Sequence, residues 1–120
     1  MEFNFRRLKI WEKAHLLTLE IYRVTKNFPS YELYGIVSQL RRASSSIAAN
    51  IVEGYSRRSK KEFVQFLYQA RASLDEVIYF LILSKDLKYL PDSEFEKLVD
   101  AASELMKMIN SFISRKKLNS

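Results

Sequence analysis

Apolar side chains recur at helical spacing in four successive segments, and no stretch alternates as a strand would. The first carries Ile10, Ala14, Leu17, Ile21, Val24 and Phe28. The second carries Leu33, Ile36, Leu40, Ala43, Ile47 and, at the next expected position, Asn50. Phe63, Phe66, Ala70, Ser73, Val77 and Phe80 mark the third; Phe95, Leu98, Ala102, Leu105, Ile109 and Phe112 mark the fourth. Residues three and four apart share one face of a helix, so each segment has a stripe to bury, and other such stripes are the available cover. Four stripes predict an all-α fold, a four-helix bundle with helices over 8–28, 31–53, 60–88 and 93–116.

The punctuation agrees with those boundaries. Pro29 ends the first helix and Ser30 is placed to cap the second. Gly54 follows the second stripe, where a left-handed residue commonly closes a helix. Ser59 with Glu62, and Ser93 with Glu96, form S-x-x-E capping boxes for the third and fourth helices, and Pro91 stops the third. Short connections make neighbouring helices antiparallel, hence an up-down-up-down topology. With 120 residues, 48% of them hydrophobic, and neither repeats nor linkers, the chain is expected to form a single domain over 1–120.

The outer faces of the four helices differ. The fourth shows only polar residues there, among them Glu96, Lys97, Asp100, Glu104, Lys107 and Ser111. The first places Leu16 and Leu19 outside, and the third places Tyr68, Ala72, Ile78, Tyr79 and Ile82. The second contains the stretch QLRRASSSIAANIVEG, from Gln39 to Gly54, with Ser45, Ala48, Ala49 and Val52 on its back. Such small side chains let another helix approach closely. Apolar backs on three helices make a patch that a lone subunit would leave uncovered. The expectation is a homo-oligomer whose interface uses Leu16, Leu19, Ser45, Ala48, Ala49, Val52, Ile78, Tyr79 and Ile82, with the back of the fourth helix in water.

Reactive chemistry is sparse. Cysteine is absent, which removes disulfides, thiolate metal sites and thiol nucleophiles and fits a reducing cytoplasm. The first fifteen residues lack the apolar core of a signal peptide, and the longest apolar run, Val77 to Leu83, is far shorter than the roughly 18 residues of a membrane span. A cytoplasmic protein without a membrane partner is expected. His15 is the only histidine; with Glu12 it makes one Glu-x-x-His element, whereas di-iron bundles use two and further carboxylates. Ser44, Ser45 and Ser46 lack a second histidine to recruit, no glycine-rich phosphate loop occurs, and the adjacent Asp75 and Glu76 point in different directions on a helix. No catalytic residue, metal or cofactor is expected. Asn50, at a core position, must find partners and is expected to bond backbone or another helix and so fix register. Glu53 is spaced to brace Arg57 or Arg58.

Charge is the remaining signal. Between residues 41 and 71 stand Arg41, Arg42, Arg57, Arg58, Lys60, Lys61 and Arg71 against Glu53 and Glu62 alone, so this segment holds +5 of the net +6. Tyr55 lies among them. Arginine interleaved with tyrosine suits phosphate and base contacts, and a solvated helix turn is the plainer reading. The candidate nucleic-acid contacts are Arg57, Arg58, Lys60 and Lys61, which flank the turn between the second and third helices, and Arg41 and Arg42, which a subunit interface would otherwise occupy.

The segments LKIWEKA (8–14), NFPSYELYGIVSQLRRASSSIAANIVEG (27–54) and SKKEFVQFLYQARASLDEV (59–77) resemble the 23S rRNA intervening-sequence protein family, small bacterial proteins of which some are encoded inside ribosomal RNA genes. Gln39, Arg41, Arg42, Ser46, Asn50, Ile51, Glu53 and Gly54 are the most specific marks. The family often has proline where Ala48 stands, so a bend in mid-helix is not implied here. The resemblance implies an antiparallel four-helix bundle that assembles as a pentameric barrel; the number five comes from the resemblance and not from the residues. A related branch, the accessory variability determinant of diversity-generating retroelements, is basic and partners a reverse transcriptase and nucleic acid. RNA or DNA, and a reverse transcriptase or other protein, are therefore the implied partners. A structural oligomer that docks a protein without nucleic acid is the alternative.

Overall fold

The computed structural model describes residues 3–118. A 3-10 turn at Asn4–Arg7 leads into α1 (Lys9–Thr25); α2 is Ser38–Tyr55, α3 is Lys60–Asp86 and α4 is Asp92–Leu118, and the described residues contain no strand. Cross-helix contacts give the direction of each pair. Thr18 Oγ1 donates to the Ser44 carbonyl at 3.1 Å and Arg41 Nε to Thr25 Oγ1 at 3.0 Å. Ser46 Oγ lies 3.0 Å from Ser73 Oγ, and Arg42 lies 3.6 Å from Glu76. Arg71 donates to Asn110 at 2.9 Å, and Lys85 sits 4.7 Å over the Phe95 ring. Lys13 pairs with Glu104 at 3.5 Å and Arg23 with Glu94 at 2.9 Å. Numbers rise on one helix as they fall on its neighbour, so all four adjacent pairs are antiparallel and α4 closes onto α1.

The stripe of α1 is buried throughout, from Ile10 to Phe28. In α3 the expected Phe63, Ala70 and Val77 are buried, but the alternate positions are displaced by one residue: Leu67, Leu74 and Leu81 are fully buried, whereas Phe66, Ser73 and Phe80 are half-buried. This helix packs between α2 and α4, so its covered stripe is wider than one heptad seam, and Phe66, Ser73 and Phe80 form one edge of it.

The second helix does not begin at 31. Ser30–Glu32 form a 3-10 turn and Leu33–Val37 a π-turn broken at Gly35 (φ −110°, ψ −114°). Ser30 makes no capping bond; the Glu32 carboxylate caps instead, accepting from the Ile36 N–H at 3.2 Å. A Cβ on Gly35 would meet that carboxylate and push it off the Ile36 N–H, so the glycine leaves room for the cap. The wider turn takes Leu33 off the core stripe and leaves it 47% exposed. Beyond it α2 runs unbroken through Ala48.

Helix ends depart from expectation elsewhere too, beginning with α1, which stops at Thr25 rather than 28 and continues as a turn in which the Asn27 and Phe28 N–H groups donate to the Val24 and Thr25 carbonyls. Gly54 is not left-handed and stays inside α2. The left-handed residue is Lys88 (φ 65°), which closes α3 at Asp86: its N–H donates to the Lys85 carbonyl and that of Tyr89 to Ser84, both at 2.9 Å, the Schellman pattern. Ser59 caps α3 as expected, accepting from the Glu62 N–H at 3.1 Å. α4 starts one residue early, because the Pro91 carbonyl accepts its first bond from the Phe95 N–H at 2.9 Å, so Ser93 lies within the first turn rather than at the cap. No helix among the described residues is long and apolar enough to cross a membrane.

Candidate nucleic-acid interface

The α2–α3 turn is built on a close approach. A Cβ at Gly54 would lie 2.8 Å from Phe63 Cδ1 and 2.8 Å from Phe66 Cβ, so the bare backbone lets the start of α3 fold directly onto the end of α2. The Ser56 hydroxyl donates to the Glu53 carbonyl at 2.7 Å and the Arg57 N–H to the Gly54 carbonyl at 3.1 Å, which tightens the turn. Glu53 braces the Arg57 guanidinium at 2.8 Å, as its spacing predicts, and that guanidinium lies 4.8 Å over the Phe66 ring. Arg57, Arg58, Lys60 and Lys61 are all exposed around this short turn.

Arg41 and Arg42 stand elsewhere. Fourteen residues of helix separate Arg41 from the end of α2 at Tyr55, about 21 Å, and Arg57 lies in the turn beyond it. Arg41 is half-buried, bonded to Thr25 and 4.7 Å over the Tyr22 ring. Arg42 is held by Gln39 and Glu76. Arg71 sits partway along α3, on Asn110. Nearness in sequence thus overstates the cluster, since one helix carries its residues from one end of the bundle to the other.

The topology supplies a different cluster. The start of α1, the α2–α3 turn and the end of α4 lie at the same end, which among the described residues gathers Arg6, Arg7, Lys9, Arg57, Arg58, Lys60, Lys61, Arg115, Lys116 and Lys117 against Glu12, Glu53 and Glu62. At the opposite end Arg23, Lys26, Arg41, Lys85, Lys88 and Lys97 are nearly balanced by Glu32, Asp86, Asp92, Glu94 and Glu96. Sequence reasoning missed the six cations of the two chain ends because they are far from the turn in number; the available signal was the up-down-up-down order itself. Aromatic rings run beneath the charges. Tyr55 and Phe63 are 6.0 Å apart and Phe63 and Phe112 5.5 Å; Lys116 lies 5.1 Å over Phe112 and Lys117 5.4 Å over Tyr68.

The residues expected at an oligomer interface lie on the backs of α1, α2 and α3. Leu16, Leu19, Tyr79 and Ile82 are 48%, 52%, 56% and 43% exposed. Ser45 and Ala49 are exposed, Val52 is half-buried, and Ala48 and Ile78 are half-buried against the bundle's own core. Every residue on the back of α4 named above is exposed. The sequence reading did not include Tyr31 and Tyr34, 77% and 93% exposed, which the 3-10 turn and the π-turn project at the α1–α2 connection. Asn50 Nδ2 donates to the carbonyl and hydroxyl of Ser46 at 2.9 and 3.1 Å, so its link to α3 passes through the Ser46–Ser73 pair. His15 is exposed and stacked on Trp11 at 5.0 Å; among the described residues no group of three or more His, Cys, Asp or Glu could hold a metal ion.

A family model described as 23S rRNA-intervening sequence protein matches residues 6–111. A crystal structure of a protein of unknown function from the S23 ribosomal protein family of Bacteroides thetaiotaomicron VPI-5482 has a TM-score of 0.81 to this chain at 24% identity, covering 88% of this chain and 95% of that one. At that identity the likeness speaks for the fold. No curated protein matches.

Proposed function

The chain belongs to the 23S rRNA-intervening sequence protein family, and we propose that it is a non-enzymatic, homo-oligomeric accessory protein that holds RNA or DNA on the basic turn between α2 and α3. The observation that carries this reading is the exposure of Arg57, Arg58, Lys60 and Lys61 at the one end of the bundle where cations greatly outnumber carboxylates. Phosphates are the matching ligand, so binding is expected to be weakly sequence-dependent and steeply salt-dependent. Assembly multiplies the turn. A ring of copies, five if the resemblance holds, attracts a polyanion far more strongly than one copy does. The apolar backs of α1, α2 and α3 support that assembly, and a particle of 14.2 kDa by light scattering at micromolar concentration would contradict it.

The test is binding of RNA and single-stranded DNA as salt is varied, for the wild type and for a variant with Arg57, Arg58, Lys60 and Lys61 changed to Gln. Loss of four phosphate contacts per strand lowers the log–log salt slope by about 3 for a single strand. If the variant assembles normally and binds as well with the same slope, the turn is solvated surface, and docking of a protein partner takes its place.

A further inference from the structure

The basic end extends beyond the α2–α3 turn into a groove between the start of α1 and the last turns of α4. The groove has a volume of about 380 Å³. Leu8, Ile10, Met108 and Phe112 contribute its apolar lining, and all four charged residues that line it, Arg7, Lys9, Lys107 and Arg115, are cations. Farther along the same pair of helices the signs alternate, and Lys13–Glu104 at 3.5 Å and Arg23–Glu94 at 2.9 Å bridge the helices. Opposite charges thus join the helices along one half of the seam, while like charges face each other across the other half. Cations on both walls of the groove make an anion the matching ligand.

The apolar lining narrows the choice of anion. Phosphate alone matches the cations and leaves the apolar surface uncovered; a nucleotide matches both, with phosphates on the cations and a base against Phe112 or Met108. Lys116 joins the turn to the groove: it lies 5.8 Å from Phe63, which is buried beneath the turn beside Tyr55, and 5.1 Å from Phe112, which lines the groove. A duplex keeps its bases paired and stacked and has none to place there. We infer that the nucleic acid is single-stranded and runs from the α2–α3 turn, across the last turn of α4, into the α1–α4 groove. This rests on the nucleic-acid reading above and adds its strandedness and its second set of contacts.

Full-length protein is titrated with a 20-nucleotide oligo(U) and with a 20-base-pair RNA duplex, as wild type, as the turn variant above, and as a groove variant with Lys9, Lys107 and Arg115 changed to Gln. The wild type is expected to bind the single strand about tenfold more tightly than the duplex. The groove variant should lose about tenfold in single-strand affinity and about 2 in salt slope, while its duplex affinity changes less than about twofold. In unaltered protein, an oligo(U) carrying 4-thiouridine should cross-link to the peptide holding Met108 and Phe112, a readout independent of how the variant folds. Tighter duplex binding, or cross-links confined to residues 55–61, would overturn the inference. A groove variant that binds like wild type while the turn variant fails would overturn it and leave the proposed function standing. A wild type that binds neither RNA would remove both.

Discussion

The α2–α3 seam and the α1–α4 seam are made of opposite materials. Where α2 meets α3, small residues on α2 set the spacing at two levels, Gly54 against Phe63 and Phe66 and Ser46 against Ser73, and the Arg42–Glu76 pair at 3.6 Å is the long charged contact. Where α1 meets α4, long charged side chains reach across from the rim, and apolar lining stays open beneath Arg7, Lys9, Lys107 and Arg115. Small residues let backbones approach and leave no room for a ligand. Long cations stand apart, leave a groove and give it a sign. One bundle thus has one closely packed seam and one that leaves a groove.

The sharpest way to break that contrast is to fill the closed seam. Gly54→Val places atoms 2.8 Å or less from Phe63 and Phe66, and is expected to cost about 3 kcal/mol, seen as a lower urea midpoint. Gly54→Ala should cost less, since alanine regains about 1 kcal/mol of helix propensity. On the outer side of the same helix, Ala49→Arg puts a long charge where a neighbouring subunit is proposed to lie. It is expected to weaken assembly by about 2 kcal/mol per contact and shift light scattering toward the 14.2 kDa particle, whereas Ser111→Arg on the back of α4 leaves the assembly intact.

Smaller changes sharpen the comparison. Ser73→Ala removes the hydroxyl that links α3 to Ser46 while Asn50 still donates to Ser46, so a loss of about 1 kcal/mol by urea denaturation is expected. At the other seam, Glu104→Gln breaks an exposed pair with Lys13 and should cost at most about 0.5 kcal/mol, less at high salt. The smallest effect concerns Glu20, whose carboxyl the hydrogen bond from Arg23 holds below its usual range. A lowered folded-state pKa stabilises above the unfolded value and is lost as pH falls through the folded one. Arg23→Gln should therefore be slightly less stable than wild type at pH 7, and the two should converge in strong acid.

The helices were legible because their stripes repeat, and because Pro29, Pro91 and the Ser59 box punctuate them. The α1–α2 connection was not, since its cap is the Glu32 carboxylate, a long side chain that reaches the Ile36 N–H only once the backbone has departed from α-helical geometry at Gly35. Gly54 read as a helix stop because glycine serves both left-handed turns and close packing; the distinction lies in what faces it, here two phenylalanines four-helix topology brings back. Lys88 carried no sign of the left-handed role it fills. The turn cations were legible as a run of residues. Their grouping with Arg6, Lys9, Arg115 and Lys116, and the separation of Arg41 and Arg42, belong to the topology, and the like-charged groove to the pairing of α1 with α4.

Lysine footprinting of the unaltered protein with and without single-stranded RNA tests the account most directly, because lysines occur at both ends of the bundle. Acetylation of Lys9, Lys60, Lys61, Lys107 and Lys116 should slow in the presence of RNA, and that of Lys26, Lys88 and Lys97 should not change. Protection spread equally over both sets, or confined to the second, would contradict the assignment of nucleic acid to the basic end and its open seam.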